Sequence, residues 1–163
     1  MLTGAMLNRS AADVAALLAA GADPTAPDGQ GRTAAQLAAQ YEDTSFLRML
    51  LEHGVSPDTA HPTTGETLLM AALMTDRRDN VALLLAAGAR LDVTDQRKDT
   101  ALHIAAKVSA PEVVLALLEA GADPEARDAR GVTFQRYLRT PASQADRYAT
   151  VRAWLREHDV PLA

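Results

Sequence analysis

A spacing constrains this chain more than any single residue does. Gly21, Gly54, Gly88 and Gly121 fall at intervals of 33, 34 and 33 residues, and Thr33, Thr67, Thr100 and Thr133 at 34, 33 and 33. Two independent markers therefore share one period. The pairs Leu17-Leu18, Leu50-Leu51, Leu84-Leu85, Leu117-Leu118 and, more loosely, Trp154-Leu155 keep that phase, as do Ala38-Ala39, Ala71-Ala72 and Ala105-Ala106. In the cleanest copy, Asp95 to Arg127, Leu102, Ala105 and Ala106 recur at helical spacing, and so do Val113, Val114, Leu117 and Leu118. Each copy reads as a polar turn followed by two short helices, each with one apolar stripe. One copy cannot bury those stripes alone, so the copies must cover one another. The boundaries fall near residues 1–27, 28–60, 61–94, 95–127 and 128–163, which are expected to form a single domain.

The residues in phase also carry a family likeness. Thr100-Ala101-Leu102-His103 departs by one residue from Thr-Pro-Leu-His, and Gly121-Ala122-Asp123-Pro124 and Gly21-Ala22-Asp23-Pro24 match the usual end of such a unit. Over essentially its full length the chain resembles the ankyrin repeat family. The other first helices drift further, through Thr33-Ala34-Ala35-Gln36, Thr67-Leu68-Leu69-Met70 and Thr133-Phe134-Gln135-Arg136. The resemblance implies an all-α ankyrin repeat solenoid of about five stacked helix-turn-helix units, joined by hairpin-like turns and closed by N- and C-terminal capping units. It also implies that His103 is a buried imidazole tying neighbouring turns by hydrogen bonds.

Composition agrees with such a stack. Of 163 residues 48% are apolar, yet only 4% are aromatic, so a core must come from Ala, Leu and Val on closely approaching helices. The absence of cysteine excludes disulfides, thiolate metal sites and a cysteine nucleophile. A net charge of −5 argues against nucleic acid as the main partner, because phosphate binding needs a concentrated basic surface. Arg127, Arg130, Arg136, Arg139, Arg147, Arg152 and Arg156 gather toward the end, but acids are interspersed among them. No apolar run approaches the roughly 18 residues of a membrane span. Met1 opens no basic-then-apolar export signal, so the expected location is cytoplasmic, or periplasmic if a signal peptide has been removed.

Catalytic chemistry finds little support. Gly29-x-Gly31-x-Thr33 has a faint look of a phosphate-cradling loop, but it lacks the lysine and the preceding strand. A turn glycine followed by a helix-opening threonine explains it. His53, His61, His103 and His158 never pair at metal-binding spacing, and no His-Glu-x-x-His or Gly-x-Ser-x-Gly occurs. The pairs Asp92 with Asp95 and Asp76 with Asp79 sit in turns with no apolar pocket implied around them. The chain is expected to be no enzyme and to need no cofactor or metal.

Departures from the period mark individual positions. Gly54 to Gly65 is 11 residues where the matching intervals are 10, so one extra residue enters the third turn around His61-Pro62-Thr63-Thr64. It is either a tolerated surface insertion or a contact tip. Asn80 occupies a column filled by Phe46 and Val113, where it is expected to weaken an apolar contact. Ser10 with Asp13 opens the second helix of an N-terminal cap. In the last unit four residues are inserted near Thr140-Pro141-Ala142-Ser143, and a long terminal helix is expected from about Ser143 to His158. Val151, Trp154 and Leu155 form its apolar side.

What remains is recognition. The resemblance implies a concave surface of turn tips and first-helix residues, whose contact positions map onto Gln30, Arg32, Gln40 and Tyr41, then Thr64, Glu66, Met74 and Thr75. In the fourth unit they are Arg97, Asp99, Lys107 and Val108, and in the fifth Arg130 and Val132. Tyr41 and Met74 would be the amphipathic anchors among polar neighbours. The expected function is a protein-binding module, a monomer on its own, that docks one partner protein. Its sharper form is an inhibitor or immunity protein for a bacterial toxin or enzyme, a basic one to suit the acidic balance. The alternative is a scaffold that self-associates or supports an enzyme through its convex or C-terminal side.

Overall fold

The computed structural model describes residues 2–138 and 146–162. They fall into two compact units, Met1–Arg90 and Leu91–Ala163. The first holds α1 (Leu2–Leu7), α2 (Ala11–Ala19), α3 (Ala34–Gln40), α4 (Ser45–Glu52), α5 (Leu68–Met74) and α6 (Arg78–Ala86). The second holds α7 (Ala101–Val108), α8 (Pro111–Glu119), a 3-10 turn (Phe134–Tyr137) and α9 (Ala149–Glu157). Besides these helices the described residues contain turns and one isolated antiparallel bridge between Ala60 and Thr67.

The helix starts follow the phased hydroxyls. Ser10 accepts from the Asp13 N–H at 3.3 Å, Thr33 from Gln36 at 3.1 Å and Thr67 from Met70 at 3.2 Å. Each bond satisfies one of the exposed amides of a helix start. In the first unit α1, α3 and α5 pack in succession. Ala35, Ala38, Ala39, Ala71 and Ala72 are fully buried, and these small side chains let the helices come close. Met6, Leu47, Leu50, Leu68, Leu73 and Leu84 fill the remaining core. In the second unit Leu102, Leu117, Phe134, Val151 and Leu155 do the same.

Repeats within a unit are also joined by polar side chains reaching the next turn. His103 is buried, takes the Thr100 hydroxyl on Nδ1 at 2.9 Å, and contacts the Val132 carbonyl through Nε2 at 3.2 Å. This is the role the resemblance implied. Gln36 performs it one unit earlier, its Nε2 donating to the Glu66 carbonyl at 2.6 Å. Glu66 and Val132 hold the same place, just before Thr67 and Thr133.

Asn80 corrects the expectation for its column. It is fully buried, and its Nδ2 donates to the carbonyls of Ala39 at 3.0 Å and Tyr41 at 2.7 Å, with Ala38 at 3.3 Å. Arg77 adds a bond from Nε to the Gln40 carbonyl at 2.8 Å. Together they close the C-terminal end of α3, whose last carbonyls have no partner within the helix. A missing apolar contact is thus replaced by a cap supplied from the next repeat.

The last repeat departs from expectation twice. Its first helix is only the four-residue 3-10 turn, and Thr133 makes no side-chain cap. The terminal helix begins at Ala149 and has nine residues, the same length as α2, α6 and α8. Asp146 accepts the Tyr148 N–H at 3.0 Å, and this local turn stops the helix from extending further back. The expected start at Ser143 and the insertion at Thr140 to Ser143 lie outside the described residues, as does Arg139. The side toward the core is as expected, with Val151 and Leu155 buried and Trp154 half-buried. Tyr137 anchors the 3-10 turn by donating its hydroxyl to Asp128 Oδ2 at 2.5 Å. That bond, ahead of the N–H groups of Val132 and Arg130, holds the Asp128 carboxyl at about 2.

Two outcomes follow from these bonds. Asn80→Leu restores the apolar column but strips the α3 end of its donor, so urea unfolding should show a loss of ~1–3 kcal/mol rather than a gain. For Asp128, a lowered folded value means stabilisation that is complete above the ordinary 3.8 and is lost as the pH falls through about 2. Tyr137→Phe removes the main cause, so in acid titrations followed by circular dichroism the variant should unfold at higher pH than the parent.

Candidate protein-binding face

The turns that carry the expected contact residues are built alike. Asp28 Oδ1 accepts the N–H groups of Gln30 at 2.8 Å and Arg32 at 3.0 Å. Asp95 Oδ1 does so for Arg97 at 2.8 Å and Asp99 at 2.9 Å, and Asp128 Oδ1 for Arg130 at 2.8 Å and Val132 at 3.2 Å. A carboxylate at the first position thus folds the backbone around itself. Gly31, Gly65 and Gly131 take the left-handed conformation that closes the turn, at φ of 77°, 71° and 74°. Lys98 takes it at φ 58°, which costs a side chain ~1–2 kcal/mol.

The third turn has no aspartate. His61 stands at that place, its Nδ1 accepting the N–H groups of Thr63 at 3.2 Å and Thr64 at 3.3 Å. Its own N–H donates to the Glu66 carbonyl at 2.7 Å, one residue further along than in the other turns. The extra residue is therefore absorbed inside a wider turn that a longer side chain organises.

The expected contact residues differ in freedom. Gln30, Thr64, Met74, Arg97, Lys107 and Arg130 are exposed, and Arg32, Tyr41 and Glu66 are half-buried. Arg32 is held by Asp28 through Nε at 2.9 Å and Nη2 at 2.7 Å, and this pairing leads the causes that bring the Asp28 carboxyl to about 2. Tyr41 is no free anchor. Its hydroxyl donates to the Met6 carbonyl at 2.7 Å, its ring meets Phe46 edge-on at 5.7 Å, and Arg9 lies 5.0 Å above it. Burial raises the Tyr41 hydroxyl above its usual value, against the lowering effect of Arg9.

Asp99 is corrected most plainly: it is buried, and both its oxygens lie 2.6 Å from Lys107 Nζ. It reaches a partner only through that lysine. Lys107 also sits 4.4 Å over the Tyr137 ring, so its ammonium is fixed in place rather than swinging in solvent.

Leu7 is an exposed apolar residue that the sequence reading missed. It is 46% exposed, compared with 55% for Met74 in the same unit and 54% for Val108 in the second. Leu7, Gln40 and Met74 are the last residues of α1, α3 and α5, helices that pack in that order. The period itself was the missed signal, since Leu7 lies 33 residues before Gln40. The first unit thus offers two exposed apolar side chains at equivalent helix ends, and it also carries rigid polar turns. The second offers Val108 with a fixed cation. This suits recognition of a protein surface. No group of three or more His, Asp or Glu side chains is placed to hold a metal ion among the described residues. No helix among them is long and apolar enough to cross a membrane.

Comparison with known proteins agrees with this architecture. A family model of ankyrin repeats (3 copies) matches residues 2–95 and 61–128. The chain is 40% identical over 109 residues to Protein PhlB of Serratia liquefaciens, covering 67% of this chain and 48% of that protein. It is 42% identical over 91 residues to the E3 ubiquitin-protein ligase KEG of Arabidopsis thaliana, covering 55% of this chain and 6% of that one. With the human SH3 and multiple ankyrin repeat domains protein 2, identity is 38% over 95 residues, covering 58% and 5%. The chain therefore spans less than half the length of each of these relatives. Ankyrin repeats are generally non-catalytic and bind protein partners. Phased helices, caps and matched family together establish that this chain belongs to the ankyrin repeat family.

Proposed function

We propose that the chain is a non-catalytic module that docks one partner protein on its turn tips and the C-terminal ends of its first helices. The observation that carries this reading is the exposed pair Leu7 and Met74 on equivalent helix ends, in a unit whose second and third turns have backbones already fixed by side-chain bonds. Apolar anchors in a polar frame supply affinity. Fixed turns reduce the ordering cost of association.

The sharper reading is an inhibitor or immunity protein for a bacterial toxin or enzyme. Its support is the net charge of −5, which favours a basic target and a fast, salt-sensitive encounter. The scaffold reading has one observation of its own: Trp154 is half-buried on α9, with its ring stacked on His158 at 3.9 Å. Contact through α9 would depend on that ring.

The partner is to be isolated by co-purification from the native host, identified, and titrated by calorimetry. Met74→Asp and Leu7→Asp should each weaken binding by ~2 kcal/mol or more with unchanged circular dichroism, as for anchors at an interface centre. Arg48→Glu, on the exposed side of α4, should leave binding intact. Arg32 is unsuitable for such a scan, because reversing it breaks its pairing with Asp28. Loss with Trp154→Ala and not with Met74→Asp would replace this reading with the scaffold. An enzyme partner that keeps full activity when saturated with the chain would end the inhibitor reading.

A further inference from the structure

Within the first unit one turn is held by an imidazole rather than by a carboxylate. Asp28 organises the second turn with a carboxylate, and that carboxylate stays ionised down to about 2. His61 organises the third with a ring nitrogen. Nδ1 faces two backbone N–H donors, Thr63 and Thr64, so it carries a lone pair. The ring proton must then reside on Nε2, which points at the Gly31 carbonyl at 2.6 Å. That geometry fixes the tautomer of the neutral imidazole.

Adding a proton changes Nδ1 from acceptor to donor. Three N–H groups would then converge with no acceptor among them, and the imidazolium would carry a positive charge. The contact through Nε2 survives, because it donates in both states. The ring stays tethered to the neighbouring turn while residues 62–65 lose the group they fold around. In the two turns that the ring joins, the charged groups are Asp28 and Arg32, which flank Gly31 and pair with each other, and Glu66, whose backbone carbonyl closes the ring's own turn. Asp28 and Arg32 are paired with each other, so their opposed charges offset at the ring.

We propose that His61 makes the third turn an acid-operated part of the docking face: protonation opens residues 62–65, displaces Thr64 and Glu66, and weakens the grip on the partner. The release step rests on the docking reading above, whereas the opening of the turn does not.

The opening is tested on the ¹⁵N-labelled chain without any partner. Ring ¹H–¹⁵N correlations at pH 8 should show the Nε2–H tautomer. Between pH 8 and 5 the Thr63 and Thr64 amides should lose hydrogen-exchange protection at least about tenfold, the worth of the bonds involved. Gln30, held by Asp28, should keep its protection. His61→Asn and His61→Asp, which accept without gaining a proton in this range, should abolish the response. An Nδ1–H tautomer at pH 8, or Thr63 and Thr64 amides indifferent to acid, overturns the proposal even if both variants misfold. With the partner in hand, affinity should fall on acidification for the parent and stay level for His61→Asn. If the turn opens and affinity does not move, the release step is overturned alone, and the docking reading is judged separately by Met74→Asp.

Discussion

Short helices leave most of their backbone polar groups without partners, and the rest of this structure is arranged around that shortage. A helix has four N–H groups at its start and four carbonyls at its end with no partner inside it. With only six to nine residues per helix, nearly every turn is an end. Apolar stripes bring the repeats together, but the stripes alone would leave those ends buried and unsatisfied. Side chains from the adjoining repeat supply the bonds. Asn80 and Arg77 close α3, Tyr41 reaches the Met6 carbonyl, and Gln36 and His103 reach the turn that follows each. Hydrophobic burial provides the larger driving force, and this polar stitching decides the register in which it is realised.

The same stitching explains why the surface suits recognition. Turn tips are ordinarily the mobile parts of a fold. Here each is folded around a side-chain acceptor at its first position and closed by a left-handed residue at its fourth or fifth. The backbone at these tips therefore has its conformation already chosen. Among the charged side chains, Arg32 is restrained by Asp28 and Lys107 by Asp99. Restraint has a chemical consequence. A guanidinium already paired with a carboxylate presents less net charge than its sequence position implies.

How much of this was legible in the residues depends on whether a feature repeats. The thirty-three-residue phase, the threonine caps and the place of His103 were all visible, because each recurs and each has a single physical reason. Gln36 was harder: it shares the column of His103, but its equivalence is one of reach and donor position, not of residue type. Asn80 was read as a defect, since its partner carbonyls belong to residues about forty positions away and sequence spacing carries no trace of them. Leu7 was passed over because the first repeat lacks a turn to set its phase. Asp99 was placed at the surface by the family resemblance alone, whereas it is buried and paired with the Lys107 ammonium at the end of the helix in the same repeat. Tertiary pairing of polar groups, more than the packing of apolar ones, is what one sequence fails to disclose.

The fifth repeat shows how such pairing carries an irregular end back to the working surface. Its first helix is reduced to a 3-10 turn, which would ordinarily weaken the cover over α7. Phe134 compensates by complete burial, and Tyr137 does so by fastening to Asp128, the same carboxylate that folds the fifth turn. With its hydroxyl held there, the Tyr137 ring is set against His103 at 6.4 Å and beneath Lys107. Asp99 holds Lys107 from the other side. The cation offered by the fourth repeat is therefore positioned by an aromatic side chain of the fifth. The residue that ends the shortened 3-10 turn is thus the one that sets the Lys107 ammonium in place, so the departure from the repeat pattern and the position of that cation are linked through one side chain.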